Sequence, residues 1–374
     1  MPLLKPGQCI RDTYEVERYL AEGAFAEVYR VKHRFLGRQA MKVFNRIGMT
    51  REEIEEVMVE AVLLSRIGHP NIVRVFDANT LMTERGECGY FTMENIPGGS
   101  LDKFWRSHGA HLIPIETTIG ILKQVCRGLM VAHFADPPII HRDIKPQNIL
   151  IGYEADGLRA RISDFGLAKQ VNKLTLFATA AGTLAFKPPE VFTQEKGDSV
   201  AGDIWALGVT LYLLLTDNIP FAVDKDLGWG NGQVLKKTPP PPSQYNVEVN
   251  PALDRIVMKC LAPQPEDRFR NAKYLIDALE AWKPGCNDGK GKHLPSSASV
   301  SCFSKDALGK RSTQNQEEAD VLVHQAMKMA RRNDKLNEAA DMMEEAFNKW
   351  PPLREKYARK VKLWRCGISS WISM

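Results

Sequence analysis

Apolar and polar positions alternate from Tyr14 to Val31, YEVERYLAEGAFAEVYRV, on both sides of a break of small residues. That pattern predicts a strand, a tight hairpin and a second strand. A further strand is predicted over Arg38 to Phe44, RQAMKVF, where the period of two places Ala40 and Lys42 on one face. The rhythm then changes to that of a helix. Ile54, Val57, Met58, Ala61, Leu64 and Ile67 recur at helical spacing behind Thr50 and Glu53, a capping box that opens the element. Further on, Asp203 opens a very apolar helix whose run from Ala206 to Leu215 is interrupted only by Gly208 and Thr210. This run is too short to cross a bilayer, so no transmembrane segment is expected. From 283 to 316 the periodicity stops and Gly, Ser, Lys and Asn dominate, as in a flexible linker.

Beyond the linker, helical spacing returns. Val323, Ala326, Met327 and Ala330 share one face of a first helix, and Leu336, Ala339, Met343 and Ala346, followed by Pro351, mark a second. Leu353, Tyr357, Val361 and Trp364 form a third stripe, surrounded by Arg354, Lys356, Arg359, Lys360, Lys362 and Arg365. The small residues of the second helix resemble those of a tetratricopeptide unit, where they permit close helix contact. One such unit cannot bury its faces alone. It must dock on the preceding domain, pair with another copy, or accept a third helix. The basic stripe at 353–365 reads as a capping helix with a solvated face, in preference to a helix lying on a membrane or on an acidic partner.

The chain's 374 residues suffice for one large domain with a smaller appendage. The net charge of +5 is uneven: residues 1–283 hold 34 basic and 34 acidic side chains, whereas 284–374 hold 16 against 11. The excess therefore belongs to the tail, and no basic and aromatic pattern in the large domain suggests nucleic acid. The seven cysteines are odd in number, scattered and without a Cys-x-x-Cys pair, which argues against a disulfide framework or zinc site and for reduced thiols in a cytoplasmic protein.

Chemistry concentrates between His141 and Gly166, HRDIKPQNILIGYEADGLRARISDFG. Asp143 and Asp164 flank this stretch, with Lys145 and Asn148 close behind the first. Phosphoryl transfer requires such groups: a base for a hydroxyl proton, oxygen ligands for a hard metal ion, and a cation for the charge gathering on phosphate. The stretch resembles the catalytic loop and metal-binding turn of the eukaryotic-type (Hanks-type) protein kinases, and the likeness runs from about Tyr14 to Trp282. It implies an α+β, bilobal fold, with a small β-rich lobe over 14–94 and a larger helical lobe over 97–282.

By that resemblance Asp143 orients the substrate hydroxyl, Lys145 and Lys42 meet phosphate charge, and Asn148 and Asp164 hold Mg²⁺, with Mn²⁺ as a substitute. Lys42 is expected to pair with Glu60, chosen over Glu55 and Glu56. Leu20, Gly23, Val28, Ala40, Met93, Glu94, Ile96 and Leu150 would surround ATP, the hinge at Glu94, Asn95 and Ile96 lending backbone groups. Only Gly23 remains of the family's three loop glycines; Ala21 and Ala26 occupy the other places, which would make a stiffer loop. Thr175 and Thr179 are candidate phosphate acceptors in the long segment after Gly166, and Arg142 is the cation that would receive such a phosphate. Thr183, expected to bond Asp143 and Lys145, together with Lys145 itself implies serine/threonine specificity. Glu190 with Arg268, and Asp203 with the catalytic-loop backbone, would hold the lower lobe.

These expectations describe a kinase acting on protein substrates. A nucleotide-binding pseudokinase scaffold is the alternative that Ala21 and Ala26 suggest, and a small-molecule phosphotransferase is a third reading, opposed by the intact segment from Phe165 to Glu190.

Overall fold

The structure is a computed structural model describing residues 2–23, 26–44, 58, 67–84, 86–108, 112–154, 157–165, 184–193, 199–221, 238–285, 318–330, 335–350 and 353–365. The helix expected behind Thr50, including Glu60, falls outside this set apart from Met58 and Ile67. The segment carrying Thr175, Thr179 and Thr183 and most of the linker also lie outside it.

The predicted hairpin and its neighbours form an antiparallel sheet. Its strands are β1 (Cys9–Ile10), β2 (Tyr14–Glu22), β3 (Ala26–His33), β4 (Gly37–Phe44), β5 (Val75–Thr83) and β6 (Gly86–Glu94), ordered β1-β2-β3-β4-β6-β5. The alternation along β4 explains the sheet's position. Met41 and Val43 point into an upper core with Leu4, Val16, Tyr29, Val31 and Tyr90, whereas Ala40 and Phe44 join Phe91 and Met93 in the core that continues into the lower lobe. Residues 3–10, which carry no long apolar run, are part of this lobe: Leu4 is buried, its amide donates to the Tyr29 hydroxyl at 3.0 Å, and β1 pairs with β2.

The lower lobe is helical. Ser100 caps α1 (Leu101–Ser107) by accepting from the Lys103 amide, and α2 (Ile115–His133) runs behind the catalytic loop. At the centre lies α3 (Val200–Thr216), capped by Ser199. Every residue from Gly202 to Thr216 is buried, so the helix is apolar all round rather than along one stripe. Helices α4 (Pro251–Cys260) and α5 (Ala272–Ala281) close over it and over α2. The proline run ends in a short turn, and the Tyr212 hydroxyl donates to the Pro240 carbonyl at 3.0 Å. Beneath the hinge, β7 (Ile149–Glu154) and β8 (Gly157–Ile162) form a second, two-stranded ladder.

The appendage contains α6 (318–329), α7 (Leu336–Lys349) and α8 (Leu353–Arg365). Its core joins all three predicted stripes: Val323, Ala326 and Ala330 from the first helix and its end, Leu336, Ala339, Met343 and Ala346 from the second, and Val361 and Trp364 from the third. Val361 and Trp364 of the third-helix stripe are thus spent on the bundle. Among the described residues no helix is long and apolar enough to cross a membrane.

Candidate active site

One buried carboxylate organises the catalytic loop. Asp203, in the first turn of α3, accepts the amides of His141 at 2.8 Å and Arg142 at 2.9 Å, and His133 Nε2 lies 3.1 Å from it. His133 in turn accepts the Ala272 amide on Nδ1 at 3.4 Å, so its other nitrogen carries the proton toward Asp203. Arg142 is thereby held at a φ of 69°, in the left-handed region. Asp203, expected to hold the catalytic-loop backbone, thus contacts it through both carboxylate oxygens.

His141 carries the constraint onward. Its Nδ1 accepts the Asp143 amide at 3.2 Å and its Nε2 donates to the Ser163 carbonyl at 2.9 Å, while its ring rests 4.6 Å from that of Phe165. Complete burial pushes the imidazole below its ordinary value despite Asp203 nearby, so it stays neutral and keeps this tautomer. The ladder supplies a second tie, because Ser163 donates to the Asn148 carbonyl through its amide at 2.9 Å and its hydroxyl at 3.1 Å. Asn148, just before β7, and Asp164, just after β8, are therefore brought side by side.

The predicted catalytic groups converge here. Lys145 Nζ lies 2.8 Å from Asp143 Oδ2, and the Asn148 side-chain amide donates to the same Oδ2 at 2.9 Å and to the Asp143 carbonyl at 2.8 Å. Spending the Asn148 nitrogen on Asp143 leaves its amide oxygen for a cation. Asp164, at a φ of 60°, adds a carboxylate. Burial works to raise its pKa, but the Lys42 ammonium against it holds the group below the usual carboxylate range. An all-oxygen donor pair of this kind suits a hard divalent ion. Lys42 itself is buried on the cleft face of β4, its ammonium 5.7 Å from the centre of the Phe91 ring. Its partner among the described residues is Asp164; Glu60, expected in that role, lies outside them.

The adenine-side residues sit on the elements that border the cleft. Leu20 is near the end of β2, Val28 faces Lys42 across the β3–β4 ladder, Ala40 pairs with Met93, and Leu150 bridges to Ser100. Glu94 donates its amide to the Arg74 carbonyl at 2.9 Å, and its carboxylate lies 3.2 Å from Arg161 Nε. Burial raises the Glu94 pKa, with Arg161 opposing. Ile96 closes the hinge turn, accepting the Gly99 amide at 3.4 Å. In the phosphate loop the Gly23 amide donates to the Ala26 carbonyl at 2.8 Å. Ala21 lies within β2 and Ala26 opens β3, neither at positive φ, so alanine brings no backbone strain to these two places.

The structural pair is also in place. Arg268 donates to Glu190 through both terminal nitrogens at 2.7 and 2.8 Å and to the Ala262, Pro263 and Ala201 carbonyls, its own side chain out of contact with solvent. Sequence reasoning missed three participants. Lys187 donates to the Arg142 carbonyl at 2.8 Å, His133 supports Asp203, and Asp102 accepts from Gln147 at 3.0 Å. None lies in a periodic or motif position that announces it; Lys187, close ahead of Glu190, was the most accessible.

A sheet lobe and a helical lobe, with two carboxylates, an amide and two lysines meeting between them, make up a bilobal kinase fold. The chain belongs to the protein kinase family, whose protein kinase domain model matches residues 14–278. It is 31% identical over 287 residues to a probable serine/threonine-protein kinase of Clostridium perfringens, covering 75% of this chain and 40% of that protein. The serine/threonine-protein kinase PknB of Mycolicibacterium smegmatis is 31% identical over 276 residues, covering 72% and 42%. The tyrosine-protein kinase MasK of Myxococcus xanthus is also 31% identical, over 310 residues covering 78% and 45%. The crystal structure of the Mycobacterium tuberculosis PknI kinase domain aligns with a TM-score of 0.56 at 25% identity, over 74% of this chain and 98% of that one. The chain thus spans less than half the length of these curated relatives.

Proposed function

We propose that this chain transfers the γ-phosphoryl group of ATP to serine and threonine hydroxyls of protein substrates, and that its own segment after Gly166 is among them. The observation that carries this reading is the shared contact of Lys145 and Asn148 with the Asp143 carboxylate, next to a Lys42–Asp164 pair. Asp143 is placed to orient a hydroxyl and accept its proton. Lys145 stands beside it to meet charge on the transferred group, and Lys42 does so from the upper lobe. Asn148 and Asp164 would hold Mg²⁺, or Mn²⁺ in its place; the ion supplies neutralisation of the phosphate oxygens. Leu20, Gly23, Val28, Ala40, Met93, Glu94, Ile96 and Leu150 would enclose the nucleotide.

Specificity for serine and threonine rests on Lys145 and Thr183 and on relatives named as serine/threonine kinases, beside a tyrosine kinase at equal identity. Thr175 and Thr179 are the proposed acceptors for autophosphorylation, with Arg142 as the cation that would receive the phosphate.

The test is phosphate incorporation from labelled ATP with Mg²⁺, followed by phosphoamino-acid analysis and site mapping. Incorporation on serine or threonine that falls by about 10²–10⁴ in Asp143→Asn, with nucleotide still bound, is the expected result. Binding without turnover in the wild type would replace this reading by the scaffold one. Phosphotyrosine as the main product would overturn the specificity.

A further inference from the structure

The appendage straddles the hinge. On the upper-lobe side, Asp341 of α7 places Oδ2 2.6 Å from Arg38 Nη1 and 3.3 Å from Arg30 Nη1, and its Oδ1 lies 2.6 Å from Arg365 Nη2 of α8. Glu17 of β2 ties the two strand arginines together at 2.6 and 3.0 Å, and Glu344 takes Arg365 at 2.8 Å. Three guanidinium groups and three carboxylates thus balance in one seam. Their side chains are 10–31% exposed, sheltered enough that water and salt screen them only in part.

On the lower-lobe side, α7 packs against α1. From α8 the Arg354 guanidinium lies 3.2 Å from the centre of the Tyr153 ring on β7, and 5.4 Å from that of Phe347. Tyr153 reaches the turn over residues 96–99 that closes the hinge. A Cβ built on Gly98 would stand 3.2 Å from Tyr153 Cε2 and 2.0 Å from the Ile151 carbonyl oxygen. The strand gripped by Arg354 is therefore the one on which the hinge glycine lies.

Both anchors belong to one body, because α6, α7 and α8 share a core of their own. A rigid body fastened to both lobes fixes their separation, and wider opening must break one fastening. The upper one is electrostatic and, among the described residues, depends on a single carboxylate: without Asp341, the described carboxylates beside Arg30, Arg38 and Arg365 would be Glu17 and Glu344.

We propose that the C-terminal helices form a strap across the hinge that limits lobe opening and slows nucleotide release, with Asp341 as its positioning residue. The nucleotide part of this rests on the kinase reading; the restraint of the hinge does not. The experiment uses the full chain and two readouts: hydrogen exchange at residues 93–99 without nucleotide, and the dissociation rate of a fluorescent ATP analogue. The variants are Asp341→Ala, Asp341→Asn, Arg38→Ala and the Arg38→Ala/Asp341→Ala pair. Asp341→Asn keeps the side chain's shape and stands in should the alanine variant fail to fold, with exchange in Val200–Thr216 as the fold control.

Faster hinge exchange and at least about fivefold faster dissociation are expected for each single variant, with no further gain in the double. Wild-type values in both readouts would overturn the strap. So would exchange that rises within α7 and α8 but not at the hinge, or effects that add fully in the double variant. A chain that binds no nucleotide would sink the kinase reading while the exchange readout still decides the strap.

Discussion

At the scale of single residues, two buried groups have consequences for stability. His141 is held neutral by burial, and that has a pH consequence. Above its ordinary value of 6.5 the imidazole is neutral in both folded and unfolded chains, so its contribution to stability is fully present. As pH falls through 6.5, the unfolded chain takes up a proton that the folded one refuses, and stability declines until the depressed folded pKa is reached. The melting temperature should drop on acidification from that point. In His141→Tyr, which retains a ring against Phe165, the slope between neutrality and about pH 5 should be shallower. The second group is Arg268. Replacing it with Met strands Glu190 as a buried, uncompensated charge, and about 3–5 kcal/mol of stability should be lost in urea unfolding. Asp203, Glu190 and Arg268 were legible in the sequence because resemblance assigned each a partner. His133 and Lys187 were not, since a hydrogen bond to a backbone carbonyl or to another residue's carboxylate leaves no periodic trace.

At the scale of elements, the strands and helices follow from the periodicities. The period of two in β4 gives a strand buried on both faces, and the unbroken apolar run gives α3. β1 escaped notice because two residues are too short to show a period, and their pairing with β2 is a tertiary choice. The small-residue pattern of α7 signalled close packing correctly, as Ala339, Ala340 and Ala346 are buried against the neighbouring helices. The basic character of α8 was misleading in part: Arg354 stacks on Tyr153, and Arg365, though exposed, pairs with Asp341 and Glu344. The hinge offers a sharp test at this scale. Because a Gly98 Cβ would lie 2.0 Å from a backbone oxygen, Gly98→Val must displace either the hinge or β7. The expected cost is about 1–3 kcal/mol in urea unfolding, together with weaker nucleotide binding by fluorescence titration.

Taken as a whole molecule, the chain joins a kinase domain to a bundle with a separate core. No pattern in the sequence could place the second on the first. The seam between them rests on Glu17, Arg30 and Arg38 in three adjacent strands and on residues some 300 positions away, Asp341 pairing with Arg30 at a separation of 311. Separate cores imply separable stabilities. Trp364→Ala should remove about 3–5 kcal/mol from the bundle, so that hydrogen exchange quickens throughout α7 and α8. The same variant should leave Val200–Thr216 as protected as in the wild type.

The wholly apolar character of that central helix also bears on how the chain is made. Val200–Thr216 leaves the ribosome before α4, the later helix that packs on it and that is complete only at Cys260. At about 5–20 residues per second the interval is roughly 2–9 seconds. Throughout it a greasy rod of more than four turns has α2 for shelter and little else. Nascent chains stalled in this window are the ones for chaperones to hold, and fragments cut between the two points should collect in inclusion bodies when expressed.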